Sequence, residues 1–356
     1  MSSERRGRTW GRARGPVGLG DDGVASMMLR FEQAGPHAPA TGTPVRAPGS
    51  VRRTSAIDTS RPDGLLGPAV MRAEARDLAT GAAGESTVVA TAWLEAVVEA
   101  ATGSLQSLDA DPAPPGLSDL SGTSVASRFR ARVDAAMPEL GGTGAPLYLL
   151  LDDLPGAALV SGYALLYGDA LRASKGGAAI KVDICAGWAE GSSMVSAIRS
   201  SGQQVTPVGP PAPPIVDADD PDGWHALTWP GPHGTRRLRR IDVGPGRADG
   251  HCDVDAFFRD SHWDQDGDER VIHEYGIAAV VDPIAGRIVS LEAEAHVLPW
   301  VECPAAVASA SRVEGRTFAE LRRWVRKEMT GISTCTHLND TLRSLTDLGT
   351  LLALRA

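Results

Sequence analysis

Residues 236–262 read RRLRRIDVGPGRADGHCDVDAFFRDSH, and residues 52–78 read RRTSAIDTSRPDGLLGPAVMRAEARDL. Arg236-Arg237, Ile241-Asp242 and Arg259-Asp260 of the first stretch match Arg52-Arg53, Ile57-Asp58 and Arg76-Asp77 of the second, with one single-residue gap. Beyond them, VIHEYGIAAVVDPIAGRIVSLEAE from Val271 lies over VVATAWLEAVVEAATGSLQSLDAD from Val88, pairing Gly286 with Gly103. Further on, Leu338-Asn339-Asp340 lies over Leu151-Asp152-Asp153. Three matches in order, with turn positions kept, argue for an internal duplication, which is sought before any motif.

Each copy has the same pattern. Val254, Ala256 and Phe258 alternate with Asp253, Asp255 and Phe257, as in a strand. A hairpin is expected from Ile277–Val281 through Asp282-Pro283-Ile284-Ala285-Gly286 to Arg287–Ala293, with Asp-Pro and a following Gly as turn chemistry. Phe318, Leu321, Val325 and Met329 recur at helical spacing over Thr317–Met329, which Gly331 ends. A short helix is expected over Ala305–Arg312 and a last one from about Thr336 to Leu352. The fold class is therefore α+β: two tandem ββββαα units, each an antiparallel sheet with helices on one face, packed as a pseudo-dimer. The expected segments are a disordered tail over 1–50, the N-terminal repeat over 51–171, an added segment and Pro-rich linker or strap over 172–234, and the C-terminal repeat over 235–356.

Composition narrows the function. A net charge of −9 argues against a general nucleic-acid binder, because phosphate binding needs clustered cations. No run of eighteen apolar residues predicts a membrane span, and the basic N-terminus lacks the apolar stretch of a secretory signal. Four cysteines in 356 residues are too few for a disulfide framework, so reduced thiols in a cytoplasmic protein are expected.

The duplication supplies an internal control. Arg259-Asp260 and Arg76-Asp77 are kept in both copies, which favours a structural ion pair at a strand end over catalysis. The arginines at 236, 237, 239 and 240 read as a solvated strand edge rather than an anion site. His273, Cys303, Cys335 and His337 are different, since the other copy has Ala90, Tyr148 and Leu150 opposite three of them and no Cys opposite Cys303. Cys303 and Cys335 both open expected helices, where the N-terminus favours a thiolate. Two Cys and two His suit zinc, and two Cys with one His leave a position for water or substrate. The competing reading is buried structural thiols, as free Cys is among the most buried residue types. A Cys335 nucleophile with His337 as base is a rival, opposed by the rule that i and i+2 on a helix do not face each other. Cys185, in Asp183-Ile184-Cys185-Ala186-Gly187-Trp188, reads as a loop residue.

Glu302-Cys303-Pro304 and Cys335-Thr336-His337-Leu338, with Arg259-Asp260-Ser261, resemble the domain of unknown function 2889 family. The resemblance covers about residues 235–349 directly and 51–154 as a degenerate copy, and implies no activity. VECPAAVASASRVEGRTFAEL, from Val301, is similar to the Cys-Gly-x-Ala-x-Ala-Ser-Ser segment of U-type iron–sulfur cluster scaffold proteins. That similarity implies a shared fold and a metal site at His273, Cys303 and the Cys335/His337 pair, with His in place of the scaffolds' first Cys.

The expected function is a metal-dependent protein, an enzyme on a small molecule, with zinc or iron held by Cys303, Cys335 and one or both of His273 and His337. Asp260 or Glu302 is the acid/base candidate. The alternatives are a non-catalytic metal or iron–sulfur handling protein and a metal-free interaction module. A closed four-ligand site would favour the non-catalytic readings and an open position would favour catalysis. Neither nucleic acid nor membrane is expected as a partner, and the chain is read as a monomer or homodimer.

Overall fold

The alternating segments fold into one eight-stranded antiparallel sheet. The structure is a computed structural model describing residues 30–32, 35–167, 181–201 and 206–355. The strands of the large sheet are β2 (Val51–Ser60), β3 (Ala69–Thr80), β4 (Ser86–Val98), β5 (Leu105–Asp111), β7 (Thr235–Gly246), β8 (Cys252–Trp263), β9 (Glu269–Asp282) and β10 (Arg287–Val297). Their order is β10-β9-β8-β7-β2-β3-β4-β5. Two four-stranded meanders thus meet where their first strands pair. A second, parallel pair joins β1 (Arg30–Glu32) to β6 (Thr206–Val208). The expected hairpin is β9–β10; Gly286 adopts φ +63°, and Asp282 Oδ1 accepts the amides of Ile284 and Ala285 at 3.0 and 2.9 Å.

The helices cover one face of this sheet. They are α1 (Phe129–Ala136), α2 (Pro146–Tyr167), α4 (Phe318–Glu328), α5 (Thr336–Ser344) and α6 (Leu348–Ala353), with α3 (Ser193–Ser201) in the added segment. The helix expected from Thr336 to Leu352 is broken by a 3-10 turn at Leu345–Asp347, where Asp347 turns inward to Arg53 and Arg322. The segment expected as a helix over 305–312 is an eleven-residue 3-10 run, Cys303–Val313. By length and composition, Pro146–Leu166 of α2 meets the requirement for a membrane span that the sequence was not expected to hold. It is 67% buried against the protein's own sheet, and its Asp152 and Asp153 are ion-paired there.

The opposite face is covered at its centre by extended chain. Residues 1–29, 33 and 34 of the expected tail lie outside the described residues, but 35–50 are packed, which corrects that part of the tail reading. Ala40 N donates to Glu274 Oε1 at 2.6 Å, and Arg46 reaches Asp220 at 2.6 Å, so short polar anchors replace the missing apolar pattern. Ile215 and Trp224 of the Pro-rich stretch bury against Ala56, Leu238 and Phe257. Residues 168–180 and 202–205 of the added segment are outside the described residues.

This cover on both faces overturns the strand-edge reading of the arginines. β7 is central, and Arg236, Arg237, Arg239 and Arg240 are all buried. The register Arg52↔Asp242 and Asp58↔Arg236 forms two reciprocal ion pairs on the strap face, each 2.6 Å from Nε to Oδ1. On the helix face Arg53 pairs with Asp77, its neighbour on β3, and Arg237 pairs with Asp260, its neighbour on β8. Helices then exchange carboxylates between halves: Asp347, after α5, meets Arg53 at 2.8 Å, whereas Asp153 of α2 meets Arg239 and Arg237.

α2 can reach Arg237 only because residue 156 has no side chain; a Cβ there would lie 1.9 Å from Arg237 Nη1. Gly156→Ala is expected to lose about 3 kcal/mol or more, because it overpacks the helix and dislodges a buried ion pair. Gly162→Ala on the same helix, with nothing within 4 Å of its Cβ, is expected to gain roughly 0.5–1 kcal/mol from helix propensity. Urea unfolding of both variants checks this; equal effects would contradict the close approach.

Candidate functional site

The second half carries its polar cluster on the helix face of β8 and β9. The β8–β9 register places His273 opposite Asp260, and the β3–β4 register places Ala90 opposite Asp77. The ion pair expected between Arg259 and Asp260 does not form, since Arg259 meets Glu274; the pairs that correspond between the halves are Arg53–Asp77 and Arg237–Asp260, and the imidazole is present only beside the second. α5 brings His337 over the same carboxylate. Asp260 Oδ2 lies 3.9 Å from His273 Nδ1 and 3.8 Å from His337 Nε2. The three donor atoms fall within 4.8 Å of one another. The two imidazoles stack, with centroids 3.6 Å apart and planes 19° apart, and Tyr163 meets His273 edge-on.

Burial sets the charge state. It lowers His273 well below the usual imidazole range, with His337 and Arg237 adding to the effect, and it lowers His337 to about 3, with Arg237 assisting. Both rings are therefore neutral and keep a lone pair. Burial also raises Asp260 to about 6, against the pull of Arg237, whose Nε and Nη2 each sit 2.9 Å from the carboxylate. Asp260 is thus ionised at neutral pH. Burial opposes the Arg237 cation as well, but Asp260, Asp153 and Asp340 outweigh it and hold that group above its ordinary range. His273 Nδ1, though buried, has no hydrogen-bond partner among the described residues. An orphaned buried polar atom costs about 1–3 kcal/mol, so a neutral imidazole nitrogen left this way beside a carboxylate calls for a partner.

The thiols stand behind this group. Cys335 is the N-cap of α5, with extended φ −125° and ψ 129°, so the i, i+2 rule for helical residues does not apply to it. Its Sγ lies 3.9 Å from His337 Nδ1, on the ring edge turned away from Asp260. Burial raises the Cys335 thiol, more than the nearby Tyr275 hydroxyl and the α5 amides lower it, so the helix start does not yield the expected thiolate. Cys303 is buried against the 186–188 turn; a Cβ on Gly187 would lie 2.7 Å from its Sγ. Burial raises this thiol too. The Cys/His ligand set read from the sequence is thus divided: His273 and His337 converge on Asp260, Cys335 backs His337, and Cys303 neighbours Cys335 on the thiol side, outside that trio. Cys185, read as a loop residue, joins the thiol side, its neighbour Ala186 donating to Thr334 O at 3.0 Å. Glu302 does not reach the cluster. Its carboxylate accepts Ser193 N and Oγ at 2.8 and 2.9 Å at the start of α3, because the 3-10 run turns it toward the added segment.

Sequence reasoning missed Arg237, Asp153 and Asp340 as parts of the site. The signal for Asp340 and Asp153 was present in the aligned Leu338-Asn339-Asp340 and Leu151-Asp152-Asp153, which place equivalent carboxylates on α5 and α2.

Residues 235–350 match the model of a family described as "Protein of unknown function (DUF2889)". The match contains Asp260, His273 and His337, and begins with β7; it does not extend to residues 51–154 or to α2. No curated protein and no solved structure matches the chain.

Two further histidines titrate with the folded state. Burial lowers His225 and His262 from the usual 6.5 to about 4. The folded chain then refuses protons that the unfolded chain accepts, so stability is full above about pH 7 and falls as pH drops from 6.5 toward 4. The loss is roughly 1 kcal/mol per buried histidine by pH 5.5. A His225→Gln/His262→Gln variant is expected to lose about half of the difference in unfolding free energy between pH 7.5 and 5.5. An unchanged difference would contradict the neutral burial of these rings.

Proposed function

We propose that the chain is a duplicated α+β protein whose second unit binds one divalent metal ion, zinc or iron, through Asp260, His273 and His337. The observation that carries this reading is the unpartnered His273 Nδ1, buried and neutral, next to an ionised carboxylate and a second neutral imidazole. Two imidazoles and a carboxylate are a donor set that zinc and iron(II) both accept. The first unit would serve as the scaffold half, keeping Arg53–Asp77 and lacking the imidazoles.

Three protein donors leave coordination positions open, which favours an enzyme acting on a small molecule over a closed, non-catalytic site. An ion held here would supply Lewis acidity and lower the pKa of a bound water. The chain's own residues would do the rest. Arg237 fixes the Asp260 carboxylate. Cys335 faces His337 Nδ1 and so leaves Nε2 as the donor, the role of an outer partner in metal sites. Stacked rings have lone pairs that run side by side, so capture of a cation by both would turn one imidazole out of the stack. As a ligand, Asp260 gives up the acid/base role that the sequence reading offered it and brings charge to the ion instead. The four unpaired cysteines fit a reducing, cytoplasmic setting.

Metal analysis by mass spectrometry of protein purified without an affinity tag, and after anaerobic reconstitution with zinc or iron(II), tests this. About one ion per chain is expected, lost in His273→Ala and His337→Ala and retained in Cys303→Ala. No ion under either condition, or loss in Cys303→Ala with retention in the histidine variants, would sink the assignment.

A further inference from the structure

A second feature lies mainly in the first half, with Thr336 and Asp340 of α5 at its edge, and its argument makes no use of the metal reading. α2 leaves a cavity of about 460 Å³ between its outer part and the sheet, within the size range of small-molecule pockets. Its walls are apolar: Met71 and Val98 from β3 and β4, Leu159 and Leu165 from α2. Leu159 is 68% exposed and stands at the open side of the cavity.

Two arginines line this cavity, and they differ in one respect. Arg130 has carboxylate partners, Asp152 at 3.2 Å and Asp340 at 3.4 Å. Arg61 has no carboxylate within 4 Å among the described residues. Its terminal nitrogens donate to neutral oxygens only, Leu65 O and Gly67 O at 3.3 and 3.2 Å and Ser161 O and Oγ at 3.5 and 3.4 Å. Its Nε is buried with no hydrogen-bond partner among the described residues. Arg52, Arg53, Arg236 and Arg237, buried on the sheet, are each clasped by a carboxylate through both Nε and a terminal nitrogen, unlike the half-buried Arg61 just after β2. The carboxylates that do line the cavity are engaged elsewhere: Asp340 with Arg237 and Arg343, and Glu99 with Gln106. Burial lowers the pKa of Arg61, in line with an uncompensated cation.

A guanidinium fork presents paired donors that match a carboxylate. We infer that this cavity binds an amphipathic carboxylate, a fatty or aryl-alkanoic acid, with its anionic head on Arg61 and its apolar body between α2 and β3–β4. The head would supply the carboxylate that Arg61 lacks, and the body would fill the apolar walls.

Octanoate serves as the probe, with octanol and octylammonium as controls of equal chain length, titrated calorimetrically into the full chain. One octanoate per chain is expected, at least ten-fold tighter than either control. Arg61→Gln is expected to lose roughly 10- to 100-fold in octanoate affinity, the range for a hydrogen bond to a charged group, and to bind octanoate and octanol alike. Gly162→Leu places a side chain in the cavity where nothing stands within 4 Å, on a helix that favours leucine. That variant is expected to fold and to lose binding of both octanoate and octanol. Octanoate binding no tighter than octanol, undiminished binding in Arg61→Gln, or undiminished binding in Gly162→Leu would each overturn the inference. Metal content is expected to be the same in both variants, so failure here and failure of the metal site are separable.

Discussion

Arg237 is a fully buried cation with Asp260 on its own sheet, Asp340 on α5 and Asp153 on α2 around it. Removing one partner from a buried pair costs roughly 3–5 kcal/mol, because the other charge is left in a medium that cannot solvate it. Each of the three carboxylates belongs to a different element, so the sheet, α2 and α5 are positioned together or not at all. The same constraint explains Gly156, the absence of a side chain where α2 crosses the guanidinium. It also explains why the candidate site is where it is. Asp260 is held by Arg237 with an oxygen still facing His273 and His337, so a frame needed for folding presents a carboxylate to two imidazoles.

The two halves use the same frame in different ways. On the strap face the contacts are reciprocal, Arg52 with Asp242 and Arg236 with Asp58. On the helix face they diverge. Arg53 with Asp77 and Asp347 forms a closed ion-pair cluster, whereas Arg237 with Asp260 opens onto imidazoles. The exchange of Asp153 and Asp347 across the halves means that the second half's cluster is finished by a helix of the first. The region matched by the family model begins after that helix, so Asp153 and the α2 wall are contributions of this chain's own N-terminal half.

The strand and hairpin pattern was legible because it is local: alternation in β8, turn chemistry at Asp282–Gly286, and helical spacing in α4 need no knowledge of the rest of the chain. The pairing of Asp260 with His273 was not legible, because aligning the two segments says which positions correspond and not which face each other across neighbouring strands. Long-range cover was not legible. Arg-Arg-Leu-Arg-Arg has the composition of a solvated edge, and only the joining of two sheets through β2 and β7, with chain laid on both faces, buries it. The thiols misled for a related reason. A helix start lowers a thiol's pKa when the thiol stays near water, and at Cys335 burial outweighs that effect. Glu302 and Cys303 are adjacent in sequence, but the 3-10 run directs one to α3 and the other to the 186–188 turn.

The central claim is that the imidazoles and Asp260, and not the thiols, form the donor set. X-ray absorption at the metal edge of the zinc- or iron-loaded chain reads that set directly. The account predicts a first shell of nitrogen and oxygen only, at roughly 2.0–2.2 Å, with the multiple-scattering features of imidazole. A sulfur shell near about 2.3 Å would contradict it and return the site to Cys335 and Cys303.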